Sequence, residues 1–164
     1  IYKTAEARGV ELILAENNQT VMDKDGLLIR NYISNEAGIG DNEASVLTLL
    51  RYKDFSMLFT GDSGVDTFMK LKNYLPQNIT VLKVGHHGAN GVVNKEMLEY
   101  LNPKYALIST GINKFGHPTI YTVAMLRDRT ILRTDINNSI RFVVNDKGYN
   151  TFVFDTKKKK YIAK

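Results

Sequence analysis

All three histidines of the 164-residue sequence lie in short segments that also contain glycine. His86 and His87 form the centre of Gly-His-His-Gly, and His117 is the central residue of Gly-His-Pro. A carboxylate, Asp62, ends a comparable Thr-Gly-Asp segment. Imidazole nitrogens and carboxylate oxygens are ligands for zinc, iron or manganese, and a histidine that binds no metal can serve as a general acid or contact a phosphate. These residues are therefore candidates for a metal-and-phosphate site.

The elements that position these residues are predicted from the apolar pattern. Apolar runs predict strands, and amphipathic stripes predict helices, in alternation: strands over 55–60, 79–84 and 105–109, and helices over 65–74, 95–101 and 120–127. The first of these strands is predicted to be central and buried on both faces. Asp62, His86 and His117 each follow one of the three strands. Because ligands usually bind beyond the carboxyl ends of strands in α/β sheets, we expect the three loops to form one site.

Further short strands are predicted on both sides of this alternating region, over 10–14, 19–22, 27–33, 45–52, 130–133, 140–144 and 151–154. A helix is predicted over 4–8, a hairpin turn over 23–26 and a loop over 35–43. An antiparallel front followed by alternating strands and helices indicates an α/β protein, with a mixed sheet flanked by helices.

Each candidate residue also has a purely structural explanation. Asp62 could cap the N-terminus of the helix that follows it. His86 and His87 could form an ordinary turn, and His117 could simply precede the proline that ends a loop. Their joint occurrence in three strand-end loops favours a functional site over three separate explanations.

The composition is typical of one globular domain with excess positive charge. Hydrophobic residues make up 43% of the chain and charged residues 24%. The net charge of +5 suits acidic partners such as nucleic acid, and part of it lies in the lysine run 157–160. We predict a domain over 1–156 and a basic, solvated tail over 157–164.

Several classes of protein are excluded or disfavoured by composition. No apolar run approaches the roughly 18 residues that span a bilayer, so no transmembrane segment is predicted. The sequence has no cysteine, which excludes disulfides, cysteine-ligated zinc and thiol catalysis. Its first residue is Ile1 rather than methionine, and we expect the chain to be a piece of a longer protein.

The sequence resembles the C-terminal half of the ComEC-type competence hydrolase domain of the metallo-β-lactamase superfamily. The similarity extends over about residues 4–144 and rests on matching segments in the same order, at 42–47, 58–62, 81–88, 109–111, 115–118 and 132–135. The pairing of Lys-Val-Gly-His-His-Gly with Gly-His-Pro is its most specific part. The resemblance implies half of a four-layered αββα sandwich and a metal-dependent hydrolase of phosphodiesterase or nuclease type, acting on a phosphodiester or nucleic acid in DNA uptake.

The resemblance also implies a role for each candidate residue. Asp62 matches a carboxylate that bridges two metal ions, zinc or manganese, and His117 matches a late metal-binding histidine. His86 and His87 match the catalytic pair that contacts the scissile phosphate and helps to protonate the leaving group, and one of them could also bind metal. The matched substrate-binding positions are Asn42, Ser45 and Gly88.

The sequence departs from the family pattern where most metal ligands belong. The His-x-His-x-Asp-His motif that supplies them is absent, and Ala89 stands where the family usually has serine. Metal binding is therefore expected to be weak or absent in this chain alone, and the chain alone is expected to be inactive without the missing N-terminal half. A half-fold with unpaired strands could also form a homo-oligomer. The resemblance implies an extracellular or membrane-associated protein.

Two other functions fit the same residues. The chain could be a non-catalytic, nucleic-acid-associated or scaffolding part of a competence-type protein, because its basic charge favours salt-sensitive binding. It could alternatively hold a single metal ion through Asp62, His86 and His117 alone.

Overall fold

A seven-stranded mixed sheet organises the structure, a computed structural model that describes residues 1–34 and 42–164. Its strands are β1 (Gln19–Lys24), β2 (Leu27–Tyr32), β3 (Leu47–Tyr52), β4 (Phe55–Phe59), β5 (Val81–Lys83), β6 (Tyr105–Ile108) and β7 (Thr130–Arg133). A second, three-stranded sheet contains β8 (Ile140–Asn145), β9 (Gly148–Asp155) and β10 (Lys160–Ala163). The helices are α1 (Tyr2–Ala7), α2 (Val65–Leu71), α3 (Lys95–Leu101), α4 (Ile120–Met125) and α5 (Thr134–Asn137).

The strands of the large sheet follow one another in sequence order. β1 to β4 pair antiparallel, whereas β4 to β7 pair parallel. Parallel neighbours need crossover connections, and α2, α3 and α4 lie in those crossovers. The carboxyl ends of β4, β5, β6 and β7 consequently lie side by side at one end of the sheet.

Helices α2 and α3 cover one face of the large sheet and close the main core. Leu58, Leu82 and Ala106 come from adjacent strands and are fully buried, because residues paired in a sheet register point to the same side. Phe68 of α2 and Leu101 of α3 pack in the same apolar cluster. This core fixes the three parallel strands, and with them the starting points of the loops that follow.

The smaller sheet packs on the opposite face, near the amino ends of the parallel strands. Phe55 and Tyr105 contact Phe142 of β8 and Tyr149 of β9, with ring centroids between 5.3 and 6.2 Å apart. These pairs are tilted or edge-on, a geometry that contributes about 0.5–1.5 kcal/mol per pair beyond area burial. The second sheet thus packs against the amino ends of the parallel strands, at the opposite end of the large sheet from the candidate loops.

Most predicted elements are present, with ends that shift by a few residues. The helix predicted over 95–101 and the strand predicted over 130–133 are confirmed to the residue. The strand predicted over 10–14 is wrong, because this segment pairs with no strand among residues 1–34 and 42–164 and its apolar side chains are largely exposed. The loop predicted over 35–43 falls mostly on 35–41, which lie outside the described residues.

The burial predicted for β4 and the end predicted for the helix over 65–74 need correction. β4 is not buried on both faces throughout, since Phe55 and Leu58 are buried but Phe59 is 37% exposed beyond the reach of the smaller sheet. α2 ends earlier than predicted, and a short 3₁₀ turn follows it. The buried residues of α2 are Thr67, Phe68 and Leu71, whereas the apolar Met69 is 42% exposed.

The C-terminal segment is more ordered than the sequence predicts. The lysine run lies at the β9–β10 turn, and β10 pairs antiparallel with β9. Residues predicted as a solvated tail therefore extend the smaller sheet, although their lysines stay in solvent. Within residues 1–34 and 42–164, no helix is both long enough and apolar enough to cross a bilayer.

Candidate active site

Three loops lie together at the carboxyl ends of β4, β5 and β6. They carry the candidate residues Asp62, His86, His87 and His117. The backbone N–H of His86 donates to Gly61 O at 3.2 Å and joins the first loop to the second. The backbone N–H of Thr119 donates to Gly88 O at 2.9 Å and joins the second loop to the third. The structure therefore brings together the three loops that the sequence predicts to form one site.

Asp62 lies in the tight turn that follows β4. Its backbone N–H donates to Ser45 Oγ at 3.1 Å, so the predicted site residue Ser45 lies beside it. Gly61 has a φ of 57°, and a Cβ there would lie 2.8 Å from Ser45 Cβ, so this close packing requires glycine. α2 has Gly64 as its N-cap and no capping side chain. The helix-capping explanation of Asp62 is therefore excluded, and its side chain is exposed to solvent.

His86 and His87 form a turn with an unusual backbone. Their φ angles are 42° and 54°, in the left-handed region, which costs on the order of 1 kcal/mol per residue that has a Cβ. Gly88 completes the turn, and a Cβ on it would lie 2.6 Å from Pro118 Cβ. The predicted Gly88 thus allows the second loop to pack against the third. Strain of this kind is concentrated at functional sites in proteins, which argues against an ordinary turn.

Hydrogen bonds fix which nitrogen of each imidazole carries a proton. His87 Nδ1 lies 2.7 Å from Ser109 O, and because a carbonyl oxygen only accepts, Nδ1 is protonated. Asn42 Nδ2 lies 3.2 Å from His86 Nδ1. An amide nitrogen only donates, so Nδ1 of His86 accepts and its neutral ring carries the proton on Nε2. Neutral His86 therefore has a donor at Nε2, whereas neutral His87 has an acceptor there.

His117 lies next to the histidine turn and is held by a residue that the motif analysis did not identify. Its ring is edge-on to that of His86, with centroids 5.4 Å apart, and is stacked with Phe115 at 5.9 Å. Asn113 Oδ1 accepts from the backbone N–H groups of Phe115 and His117, both at 3.1 Å. Asn113 Nδ2 donates to His117 O at 2.7 Å. This amide thus binds the backbone of His117 on both sides.

A second anchor, Thr134, ties the His117 loop to the end of β7. Its Oγ1 donates to Thr110 O at 2.6 Å and accepts from Thr110 N at 2.7 Å, and Thr110 Oγ1 donates to His117 O at 3.2 Å. The neighbouring Arg133 and Asp135 form a two-pronged ion pair, with contacts of 3.1 and 2.6 Å. The hydrogen bonds from Arg133 hold the pKa of Asp135 below its ordinary value. The carboxylate of Asp135 therefore forms an ion pair with Arg133 and does not contribute to the histidine loops.

Lys83, the first residue of the Lys-Val-Gly-His-His-Gly segment, is a further candidate to which the sequence assigned no role. It is the last residue of β5, is half-buried, and its Nζ donates to Val84 O at 2.9 Å. Burial lowers the pKa of Lys83, and the negative charge of Asp62 opposes that shift. The site therefore contains a cation that interacts electrostatically with Asp62. Its signal in the sequence is a single charge within a mainly apolar strand.

The donor types at this site suit zinc or manganese, but the ligand number does not. In the part of the chain that the structure describes, no group of three or more histidine or acidic side chains is arranged to hold a metal ion. The predicted single-ion site of Asp62, His86 and His117 is therefore not assembled. A complete zinc site needs at least three protein ligands, so these residues supply at most part of one.

A separate cavity of about 600 Å³ lies between α3 and α4. Its lining includes Leu98, Tyr121 and Met125 together with several charged side chains, and none of the strand-end loop residues. The candidate site is defined by the convergence of polar side chains in the three loops, and this cavity is a different feature of the surface.

The fold is similar to that of a solved enzyme. A variant of the CmlA beta-hydroxylase matches with a TM-score of 0.50 at 12% identity, over 76% of this chain and 32% of that chain. That enzyme has the metallo-β-lactamase fold. The predicted fold class, a mixed α/β sheet flanked by helices as in that fold, is confirmed.

Two curated competence proteins are similar in sequence. The chain is 30% identical over 148 residues to ComE operon protein 3 of Bacillus subtilis (strain 168), a match over 87% of this chain and 19% of that protein. It is 31% identical over 114 residues to Competence protein ComA of Neisseria gonorrhoeae, a match over 66% of this chain and 16% of that protein. The chain thus spans less than a fifth of the length of these relatives. No protein-family model matches it.

Proposed function

We propose that the three strand-end loops form part of the active site of a metal-dependent hydrolase of the metallo-β-lactamase superfamily, of phosphodiesterase or nuclease type. The observation that carries this proposal is the convergence of an exposed carboxylate, three imidazoles and a half-buried ammonium at the ends of adjacent parallel strands. The similarity to competence proteins supports nucleic acid as the substrate.

In this proposal Asp62 and His117 each supply one ligand to zinc or manganese. The described residues provide too few donors for the two ions of the complete family site, so the remaining ligands come from elsewhere. Candidates for that source are a His-x-His-x-Asp-His segment in a longer form of the protein or in a partner. Asn113 and Thr134 position His117 through its backbone.

The two catalytic histidines have different tasks because their hydrogen bonds differ. Neutral His86, with its proton on Nε2, donates to a non-bridging phosphate oxygen, and Asn42 holds it in that tautomer. His87 is oriented by the Ser109 carbonyl, and in its protonated form it donates from Nε2 to the leaving oxygen. Lys83 adds positive charge where negative charge develops on phosphorus-bound oxygens.

Metal analysis and hydrolysis of a phosphodiester test this proposal in the longest natural protein that contains the chain. Asp62→Ala and His117→Ala are expected to reduce bound zinc or manganese. His87→Ala is expected to leave the metal content unchanged and lower kcat by about 100-fold, the loss typical of a general acid. Asp128→Ala is the matched control, because Asp128 is an exposed acid that contacts Arg127 away from the loops. Full metal content and full activity in Asp62→Ala would rule the proposal out.

A second candidate function is a non-catalytic nucleic-acid-binding module. It is favoured by the net charge of +5 and by the lack of a complete ligand set in the described residues. In that case nucleic-acid binding would weaken steeply with salt and be unchanged in Asp62→Ala, and no hydrolysis would be measured in the longer protein.

A further inference from the structure

The His117 loop displays a large apolar side chain to solvent at the candidate site. Phe115 is 70% exposed, although aromatic rings normally bury most of their surface. Its ring is stacked with the His117 imidazole, with 5.9 Å between centroids and 29° between planes. One side of the ring is therefore engaged by a candidate site residue, while most of its surface remains open.

The position of Phe115 is fixed by hydrogen bonds. Its backbone N–H donates to Asn113 Oδ1, the same oxygen that accepts from the backbone of His117. Asn113 Nδ2 also donates to Gly111 O at 2.9 Å, which closes the start of the loop. One side-chain amide thus binds the backbone of both Phe115 and His117 and fixes the positions from which their rings contact each other.

The charge around Phe115 favours an anionic polymer. Lys114 Nζ lies 5.7 Å from the centroid of the Phe115 ring, and residues 109–118 contain no acidic side chain. Lys83 lies at the end of β5, near the histidine turn. An exposed aromatic ring beside a cation matches the way proteins bind single strands, by stacking a base and attracting the backbone.

We infer that Phe115 is a stacking platform for an unpaired nucleobase, which makes a single-stranded polynucleotide the substrate class of this site. The base stacks on the open surface of Phe115, and the adjacent phosphates pass Lys114 toward the three imidazoles. A base inside a duplex already has stacking partners on both faces and cannot do the same. This inference rests on the proposed function for its catalytic meaning, but the binding platform can be tested by itself.

The test is a fluorescence anisotropy titration of the full chain with a labelled oligothymidylate of about 12 nucleotides. Phe115→Ala is expected to raise Kd by roughly 5- to 100-fold, the range that one stacked base contributes. Phe115→Tyr keeps a stacking ring and is expected to bind like the parent protein. Ile112→Ala is the matched control, because Ile112 is a fully exposed apolar residue of the same loop.

Two further ligands separate stacking from charge. A strand of the same length without bases, and a blunt duplex, are both expected to bind with a Kd that Phe115→Ala does not change. Lys114→Ala is expected to weaken all three ligands and to lower the salt dependence by about one unit of slope. Circular dichroism melting of each variant confirms that the fold is retained.

The inference is overturned if the parent protein does not bind the single strand, or binds it no better than the base-free strand. It is also overturned if Phe115→Ala affects the strands with and without bases equally. Failure of the proposed function looks different: hydrolysis in the longer protein would be insensitive to Asp62→Ala, while the Phe115 effect on Kd would persist.

Discussion

Strands β4, β5 and β6 have opposite surroundings at their two ends. At the amino ends, Phe55, Val81 and Tyr105 are buried under the smaller sheet, in regular backbone with aromatic contacts. At the carboxyl ends, polar loops have left-handed backbone at His86 and His87, held by hydrogen bonds in place of an apolar core. The same strands thus have a packed apolar core at one end and the candidate site at the other.

This difference predicts that substitutions at the amino ends of the strands mainly change the free energy of unfolding, whereas substitutions at the carboxyl ends mainly change binding. Apolar burial stabilises a protein by an amount that scales with the buried area. The amino ends of the strands, which lie under the smaller sheet, should therefore contribute most of the stability. The loop end depends on hydrogen bonds and on close contacts at glycine. These interactions fix the geometry of the loops but contribute less to stability than a buried apolar core does. Changes at the two ends should therefore have different signatures.

The largest contrast is expected between two phenylalanines. Phe55→Ala removes a buried ring that contacts Phe142 and Tyr149, and should lower the free energy of unfolding by about 3–5 kcal/mol. Phe115→Ala removes an exposed ring and should change it by less than about 0.5 kcal/mol. Urea unfolding followed by circular dichroism measures both. Equal destabilisation would contradict the proposed separation of the two ends.

A second test disturbs the contact between the histidine turn and the His117 loop. Gly88→Ala places a Cβ against Pro118 at a φ of 82°, and should destabilise by about 2 kcal/mol and weaken phosphate-backbone binding. Gly111→Ala in the same region meets no atom within 4 Å and should be near neutral. Thermal melting with oligonucleotide titration compares the two. A stable Gly88→Ala protein with unchanged binding would show that the loop contact is dispensable.

A third test compares a true helix cap with Asp62. Asn94 Oδ1 accepts from Met97 N at 2.8 Å at the start of α3, so Asn94→Ala should cost about 1 kcal/mol. Asp62 caps no helix, so Asp62→Ala should alter stability by less than about 0.5 kcal/mol while it lowers metal content. Chemical denaturation and metal analysis of the longer protein report the two effects. A cap-sized stability loss in Asp62→Ala would restore the structural explanation.

The smallest effect concerns Lys83 and has a pH signature. Burial lowers the folded-state pKa of Lys83 below 10.5, so the unfolded chain holds this proton more tightly. The resulting destabilisation is fully present below the folded-state pKa and disappears as pH rises toward the unfolded value. Lys83→Met should therefore be more stable at neutral pH, by about 1 kcal/mol or less, and this advantage should shrink with rising pH. An advantage that is constant across pH would indicate packing as its cause.

The alternating centre of the fold could be predicted because its signals are local. The helix over 95–101 has an asparagine cap, an apolar stripe and a following proline, and its bounds are confirmed. The segment 10–14 has the apolar content of a strand, but no strand in the described part of the chain pairs with it, which composition does not reveal. β10 was not predicted, because it is short and follows a lysine run that is typical of a solvated tail. Its strand conformation depends on pairing with β9.

The site residues that lie in glycine- and histidine-containing loops could be predicted from the sequence. The residues that position these loops through hydrogen bonds to their backbone could not. Asp62, His86 and His117 follow strands whose parallel order brings them together. Asn113 and Thr134 act through hydrogen bonds to the backbone of other residues, so their types alone do not distinguish them from ordinary loop polar residues. Their roles are visible only when the loops are packed against each other.

The left-handed turn at His86 and His87 has a consequence for how this protein can change. Glycine would adopt these φ angles without strain, so His86→Gly and His87→Gly are expected to relax the folded backbone while removing both imidazoles. Selection for stability alone would therefore push these positions toward glycine, and selection for activity would resist it. Under the proposed function, substitutions that stabilise the fold at these two positions would therefore be the ones that lower activity.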